Sequence, residues 1–299
     1  MGIKQPQFLK QGDLVLIIGI SRARSEEQLA PAIKQLKEWG LEVETGKNLY
    51  KRYHQFAGTD AERAEDLQWA IDHTRAKAVL FAGGGYGAMR VIDRVNFEPL
   101  LEKPKWFVGY SDATAVFSRL TTMGLACIHG TMAFQFGQNA EATNSVKARL
   151  FGEKIDYTIE GSELNRPGVV EAKVVGGNLS LLYALSGSRD DIITEDCILF
   201  LEDLDEQLYH VDRMILQLKR SGKLNKLRAL LVGGMSDMKD NAVPYGQTAE
   251  EIILDAVKEF EYPVCFNFPA GHISRNLALY LGKFARLNVG KTQSTLAYL

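Results

Sequence analysis

The chain has 299 residues, of which 46% are hydrophobic and 24% are charged, as in a globular protein rather than a disordered or fibrous one. Its 35 Lys and Arg residues and 37 Asp and Glu residues give a net charge of −2, which argues against bulk nucleic-acid binding. The apolar run at 14–20 is too short to span a bilayer, and residues 1–13 lack the apolar core of a signal peptide. We therefore expect a cytoplasmic protein with no nucleic-acid or membrane partner.

The three cysteines, Cys127, Cys197 and Cys265, are odd in number and far apart in the sequence. No C-x-x-C or H-E-x-x-H pattern is present, so neither a disulfide framework nor a metal site is predicted.

Strand-like and helix-like segments alternate through the first half of the chain. The predicted strands are 14–18, 78–81, 106–108 and 127–128, and the predicted helices are 25–39, 61–74, 86–94 and 112–123. This alternation predicts a mostly parallel, doubly wound sheet within an N-terminal domain, residues 1–140.

The composition changes at 141–168, which is mostly polar and loop-like, and we interpret it as a linker region between two domains. A C-terminal α/β domain, residues 169–299, is predicted to follow. Its expected strands are 169–175, 197–201, 229–232, 264–266 and 285–289, and its expected helices are 207–220 and 248–259. Gly176 and Gly177 are expected to form a turn after the first of these strands.

A glycine-rich segment, Gly83-Gly84-Gly85-Tyr86-Gly87, lies directly after a predicted strand and before a predicted helix. Glycines allow backbone N–H groups to approach a ligand, and the start of a helix favours negative charge. The segment could therefore be a phosphate cradle, an oxyanion hole or only a tight turn. It lacks the Gly-Lys-Ser/Thr of a P-loop and fits the dinucleotide-binding pattern poorly.

A second strand-to-helix bend carries Ser111 and Asp112. A serine at such a bend presents its hydroxyl above the edge of the sheet, with the next backbone N–H beside it. That arrangement suits a nucleophile and its oxyanion donor. The alternative is that Ser111 or Asp112 only caps the following helix.

Two further residues complete a possible triad. Glu202 lies at the end of a buried strand, where a carboxylate needs a partner, and His272 lies in a Pro/Gly loop after another strand. Ser111, Glu202 and His272 follow the order serine, acid, histidine, which recurs among serine hydrolases. His129 also follows an apolar strand and could line the same cleft.

Five ordered motifs make the chain resemble the LD-carboxypeptidases, serine peptidases that remove the terminal D-alanine from murein tetrapeptides. The motifs are GGYG with Arg90, VGYSDAT, GGNLSLL at 176–182, LFLEDLDEQLYHVDRMILQL at 199–218, and PAGHISRNLALYLG at 269–282. The resemblance covers almost the whole chain. It implies a Rossmann-like, flavodoxin-like N-terminal domain and a C-terminal α/β domain, with the active site between them.

The resemblance also implies roles for individual residues. Ser111 would be the nucleophile, Glu202 the acid and His272 the base, with the backbone N–H groups of Gly85 and Asp112 as the oxyanion hole. Tyr86, Arg90 and Arg213 are the candidates for substrate binding, although each arginine could serve a structural ion pair instead. Family members are commonly homodimers and use no metal, so a muropeptide substrate, a homodimer and no cofactor are expected.

The chain departs from the family pattern at three places, none of them in the triad, and the first two lie where substrate could contact the enzyme. The chain has Gly83 where arginine is frequent, Ile20-Ser21 where Pro-Ser is usual, and LALYLG where Leu-Pro-Leu-Gly is usual. The nearest alternative is a microcin C immunity peptidase, which cleaves a carboxamide in a peptidyl-nucleotide. A nucleotide-binding oxidoreductase and a non-catalytic binding protein are alternatives of other classes.

Overall fold

The protein is described by a computed structural model covering residues 3–299, and its chain forms two sheets flanked by helices. The first sheet is built mainly from the N-terminal half, and the second lies in the C-terminal half. This confirms the predicted two-part α/β architecture. Within residues 3–299, no helix is both long and apolar enough to cross a membrane.

The first sheet has six strands in the order β11-β5-β4-β3-β1-β2. Its parallel strands are β1 (Leu14–Ile18), β2 (Glu42–Thr45), β3 (Ala76–Phe81), β4 (Trp106–Gly109) and β5 (Cys127–His129). Helices α1 (Glu26–Glu38), α2 (Asp60–Asp72), α3 (Pro99–Glu102) and α4 (Thr114–Thr122) connect them. The sixth strand, β11 (Leu279–Leu281), comes from far along the chain and pairs antiparallel with β5.

The second sheet has seven strands in the order β10-β9-β8-β7-β12-β13-β6. Strands β7 (Gly168–Asn178), β8 (Cys197–Leu204), β9 (Ala229–Ser236) and β10 (Val264–Cys265) are parallel. Strands β6 (Tyr157–Glu160), β12 (Phe284–Val289) and β13 (Gln293–Tyr298) extend the sheet in antiparallel fashion. Its accompanying helices are α6 (Leu179–Leu185), α7 (Leu208–Arg220) and α8 (Ala249–Ala256), whereas α5 (Ala140–Phe151) packs Val146 and Leu150 against the first sheet. Helix α5 and strand β6 thus occupy most of the segment predicted as a linker region.

Local sequence explains where several helices begin. Helix α1 starts after Ser25, whose hydroxyl accepts the Gln28 N–H while the Gln28 side chain accepts the Ser25 N–H. Helix α2 has the same reciprocal cap from Thr59 and Glu62. Such caps satisfy N–H groups that the first turn of a helix leaves free.

One hydrophobic core joins the two sheets. It includes Phe81 and Phe107 from the first sheet, Phe117 from α4 and Phe200 from the second sheet, all completely buried. Burial of large aromatic side chains contributes strongly to folding and disfavours separation of the two halves. The ends of the strands are therefore held in a fixed relation, which positions the site described below.

The turn predicted at Gly176 and Gly177 is wrong. Both residues continue β7 and pair in register with Phe200 and Leu201 of β8. Their positive φ angles, +132° and +145°, and their close neighbours explain the glycines. A Cβ on Gly176 would overlap the Phe200 carbonyl, and one on Gly177 would lie 2.6 Å from the Thr114 hydroxyl, so only glycine permits these approaches.

The helix predicted at 86–94 is also wrong. The structure has two short 3-10 turns there, at Ala88–Arg90 and Ile92–Arg94. Gly85 and Gly87 have φ of +111° and +141°, so a right-handed helix cannot begin before Ala88. By Val95 the backbone is extended again, leaving too few residues for a stable α-helix.

Candidate active site

Ser111 lies at the bend that follows β4, above the carboxyl edge of the first sheet. It opens a 3-10 turn, Ser111–Ala113, that leads into α4. Its φ of +61° places it in the left-handed region, which serine adopts at an energetic penalty of roughly 1–2 kcal/mol. Backbone strain of this kind is often retained at functional positions, where the surrounding structure holds it in place.

The side chain of Asp112 holds this bend against the glycine-rich segment. It is buried, and Oδ2 accepts hydrogen bonds from the Ser21 hydroxyl at 2.5 Å and from the Ala88 N–H at 2.7 Å. Burial raises the pKa of Asp112, although these hydrogen bonds favour its charged form. The carboxyl group thereby ties the loops after β1, β3 and β4 together.

Glu202 and His272 form a close pair at the end of β8. Glu202 is completely buried, and its Oε2 accepts the His272 Nδ1–H at 2.7 Å and the His272 backbone N–H at 3.2 Å. Burial alone would raise the pKa of Glu202, but the imidazoles of His272 and His129 outweigh it and lower that pKa to about 2. Burial likewise disfavours a charged His272, yet Glu202 raises the pKa of His272 above its usual value.

The loop that carries His272 is fixed from both sides. A Cβ on Gly271 would lie 2.7 Å from the Glu202 side chain, so glycine allows the two segments to approach. The Gly234 N–H donates to the Ala270 carbonyl at 2.9 Å, and the Ser236 hydroxyl donates to the His272 carbonyl at 2.9 Å. Strand β9 therefore positions the imidazole relative to β8.

Two other ionisable side chains surround Glu202 without entering the pair. His129 is completely buried, and its Nε2 lies 3.9 Å from Glu202 Oε1. Asp203 accepts hydrogen bonds from Asn178 Nδ2 and the Ser180 N–H, each at 2.8 Å. Burial, followed by repulsion from Glu202, raises the pKa of Asp203 to about 7.

Ser111 and His272 line the same cavity, which has a volume of about 400 Å³. With Nδ1 bonded to Glu202, Nε2 is the ring nitrogen of His272 that can accept a proton. No hydrogen bond joins Ser111 to His272 within residues 3–299, and such catalytic contacts often tighten only when substrate is bound. The structure thus brings together the serine, acid and histidine that the sequence singled out.

The backbone near Ser111 offers two free donors. Within the described part of the chain, the N–H groups of Gly85 and Asp112 donate to no other residue. Gly84, the residue before Gly85 in the glycine-rich segment, lies close to Ser111, because a Cβ built on it would be 3.1 Å from Ser111 Oγ. A backbone this close to the hydroxyl, with unused N–H groups, can stabilise a negatively charged oxygen.

The cavity also contains Arg22 and Arg24, which the sequence analysis did not select. Both follow the carboxyl end of β1, the position at which ligands bind in open parallel sheets, and that position was the available signal. It was missed because this longer connection from β1 to α1 contains no glycine cluster.

The three predicted substrate-binding residues lie outside the residues that line this cavity. Arg90 is bonded to Asp60, with both carboxylate oxygens 3.0 Å from Nε. Tyr86 is 48% exposed, and Arg213 is exposed with its guanidinium 5.3 Å from the Tyr209 ring centre. Their roles in binding remain predictions.

No three His, Cys, Asp or Glu side chains within residues 3–299 are grouped so that they could hold a metal ion. The three cysteines are buried and unpaired. Independence from metals stays a prediction, which chelation would test.

Comparison with protein families finds two adjacent matches. Residues 15–130 match the LD-carboxypeptidase N-terminal domain, and residues 171–287 match the LD-carboxypeptidase C-terminal domain. Ser111 falls in the first matched range, and Glu202 and His272 fall in the second.

Individual proteins show the same similarity over nearly the full length. The probable murein peptide carboxypeptidase of Bacillus subtilis is 34% identical, covering 96% of this chain and 92% of the relative. The muramoyltetrapeptide carboxypeptidase of Oxalobacter formigenes has a crystal structure that superposes with a TM-score of 0.88 at 29% identity, covering 95% of this chain and 98% of the other. The microcin C7 self immunity protein in complex with aspartyl sulfamoyl adenosine superposes with a TM-score of 0.85 at 21% identity, covering 98% of both chains, and shares the fold.

Proposed function

This chain belongs to the LD-carboxypeptidase family of serine peptidases, and on that premise we propose that it removes the terminal D-alanine from murein tetrapeptides. The observation that carries the proposal is the shared cavity of Ser111 and His272, with Glu202 bonded to the far side of the imidazole. The names of the Bacillus and Oxalobacter relatives support the substrate class.

In the acylation step, Ser111 Oγ attacks the carbonyl carbon of the scissile amide while its proton passes to His272 Nε2. Glu202 keeps the imidazole in the tautomer whose Nδ1 is protonated and stabilises the imidazolium that forms. The tetrahedral oxyanion accepts hydrogen bonds from the N–H groups of Gly85 and Asp112. Loss of one such donor typically lowers turnover by about 10²–10³.

Collapse of the tetrahedral intermediate breaks the C–N bond, and His272 gives its proton to the departing D-alanine amine. Water then attacks the Ser111 ester, with His272 accepting a proton from the water and returning it to Ser111 Oγ. The scissile bond joins an L-configured centre to a D-residue, so the shape of the pocket must select the stereochemistry.

Incubation of muropeptides with the wild type and with Ser111→Ala, followed by mass spectrometry, tests this function. We expect the wild type to remove one D-alanine from tetrapeptides and the variant to remove none, while its circular dichroism stays unchanged. Turnover by Ser111→Ala would contradict the nucleophile assignment. A peptidyl-nucleotide carboxamide offered in parallel distinguishes the microcin-type alternative, because preferential cleavage of that compound would reassign the substrate.

A cytoplasmic location and a homodimer are further parts of this proposal. The three buried, unpaired cysteines are consistent with a reducing compartment. Cell fractionation would test the location, and light scattering of the purified protein would test the dimer.

A further inference from the structure

Two arginines face the catalytic cavity without an acidic partner. Arg22 and Arg24 both line it beside Ser111 and His272. Within residues 3–299, no carboxylate oxygen lies within 4.0 Å of either guanidinium. The Nε of Arg24 is buried and has no hydrogen-bond partner. A guanidinium in this condition is poised to bind an anion from outside the chain.

The two acidic residues of the same cavity are bonded to other side chains than these arginines. Asp205 pairs with Lys239 at 2.6 Å, and Glu206 is hydrogen-bonded to His210 at 2.5 Å. Burial and the like charge of Arg22 both lower the pKa of Arg24, so the pair of cations is electrostatically unfavourable until an anion arrives.

The glycine-rich segment is shaped to admit the guanidinium of Arg24. A Cβ on Gly83 would overlap Arg24 Nε, so any larger residue there would displace this side chain. The ring of Phe134 supports the guanidinium from the other side, 3.9 Å from its Cζ to the ring centre. Arg22 similarly packs against Gly85.

The position of the arginines matches one carboxylate of the substrate in particular. Gly83 and Gly85, which they contact, flank Gly84, whose backbone approaches Ser111. A carboxypeptidase releases a single residue, and its carboxylate lies about one residue, roughly 3.8 Å, beyond the attacked carbonyl.

We propose that Arg24, with Arg22 beside it, binds the terminal carboxylate of the departing residue and thereby makes the enzyme a carboxypeptidase rather than an endopeptidase. This inference rests on the proposed function. Hydrogen bonds to charged groups are strong enough that we expect removal of Arg24 to reduce carboxylate recognition about 10- to 100-fold.

Two tetrapeptides that differ only in their terminal group, D-alanine or D-alaninamide, test the inference. We expect the wild type to prefer the free acid by roughly 10- to 100-fold in kcat/KM. Arg24→Gln should lose most of this preference through slower cleavage of the acid, with cleavage of the amide little changed. Arg24→Lys, which keeps the charge but loses the planar fork, should retain part of the preference.

Gly83→Ala is a second route to the same result, because it displaces the guanidinium without deleting it. The φ of Gly83 is not positive and the atoms to be moved are at the end of a flexible side chain, so the fold should tolerate alanine. Arg75→Gln is the matched control, since Arg75 is exposed and pairs with Glu42 and Glu44 in β2.

The possible outcomes distinguish a failure of the carboxylate role of Arg24 from a failure of the proposed peptidase function. If the ratio of kcat/KM for the acid to that for the amide is unchanged in both Arg24→Gln and Gly83→Ala, the carboxylate role is overturned. This includes the case in which kcat/KM falls equally on both peptides, which would indicate a structural or oxyanion role. If the wild type cleaves the two peptides equally, this inference alone fails. If the wild type cleaves neither peptide, the proposed function is wrong, and so is the inference that rests on it.

Discussion

Replacement of Glu202, the proposed triad acid, by glutamine removes the negative charge of the side chain while keeping its shape. The glutamine oxygen can occupy the position of Oε2 and accept both the Nδ1–H and the backbone N–H of His272. Its amide nitrogen would then take the position of Oε1, 3.9 Å from His129 Nε2. The tautomer and orientation of the imidazole are preserved, whereas the negative charge is lost.

The expected size of the effect follows from the distance between the two groups. Unit charges 2.7 Å apart interact by about 6 kcal/mol at an effective dielectric constant of about 20. The glutamine oxygen still accepts the hydrogen bond and keeps part of this energy. We therefore expect a net loss of about 4 kcal/mol of transition-state stabilisation, which lowers kcat by about 10³.

Glu202→Gln should also change the pH dependence of the activity. His272 must be neutral to accept the proton of Ser111, and Glu202 raises its pKa above the ordinary value of 6.5. Activity of the wild type should therefore rise with pH through a point above that value. Without Glu202, burial dominates and lowers the pKa of His272, so the acidic limb should move to lower pH.

The assay is kcat/KM for D-alanine release from about pH 5 to 9, where histidine titrates. Asp203→Asn is the matched control, because Asp203 is the next residue in β8 and bonds to Asn178 and Ser180 instead of His272. An acidic limb that does not move, a loss of less than tenfold, or an equal loss in both variants would refute the role assigned to Glu202.

Three further predictions concern Ser111, Gly84 and Asp203. Ser111→Gly should relieve the left-handed φ of +61° and raise the free energy of unfolding by about 1 kcal/mol over Ser111→Ala, and equal denaturant stabilities would contradict this strain. Gly84→Val should lower kcat/KM by about 10² with little change in Tm, because a Cβ there lies 3.1 Å from both Ser111 Oγ and Met132 Cε, and full activity would contradict the close approach. Asp203 has its pKa raised from 3.8 to about 7, so the stability it contributes is fully present below the lower value and lost as pH rises through the higher one. Asp203→Asn should therefore flatten the decline of unfolding free energy between about pH 4 and 8, by about 4 kcal/mol, whereas parallel curves in calorimetry would exclude this titration.

Much of the fold was predictable from short-range patterns. The apolar run of β1 and the spaced leucines of α1 report burial directly, since buried strands and amphipathic helices require those spacings. Ser111 was a candidate because a hydroxyl directly after a buried strand can face the edge of the sheet, but a helix cap explains the same pattern, and the family resemblance favoured the nucleophile. Glu202 was recognisable because a carboxylate at the end of a buried strand needs a partner.

Other features depended on contacts between distant segments. Strand β11 completes the first sheet although it comes from the other end of the chain, and no local pattern specifies which strand edge it joins. Gly176 looks like a turn in the sequence but lies within β7, because the partner that excludes a side chain is the Phe200 carbonyl of the neighbouring strand.

By itself, the sequence determined the alternation of strands and helices, because this is set by single residues and their near neighbours. It also offered Ser111, Glu202 and His272 as candidates for a triad, an assignment that rested on the family resemblance. Only the tertiary structure decided that Glu202 Oε2 meets His272 Nδ1 at 2.7 Å, that Arg90 is bonded to Asp60, and that Arg24 faces the cavity. The physical reason is that an ion pair or an unpaired charge is defined by the separation of side chains in space, which packing of the two sheets sets.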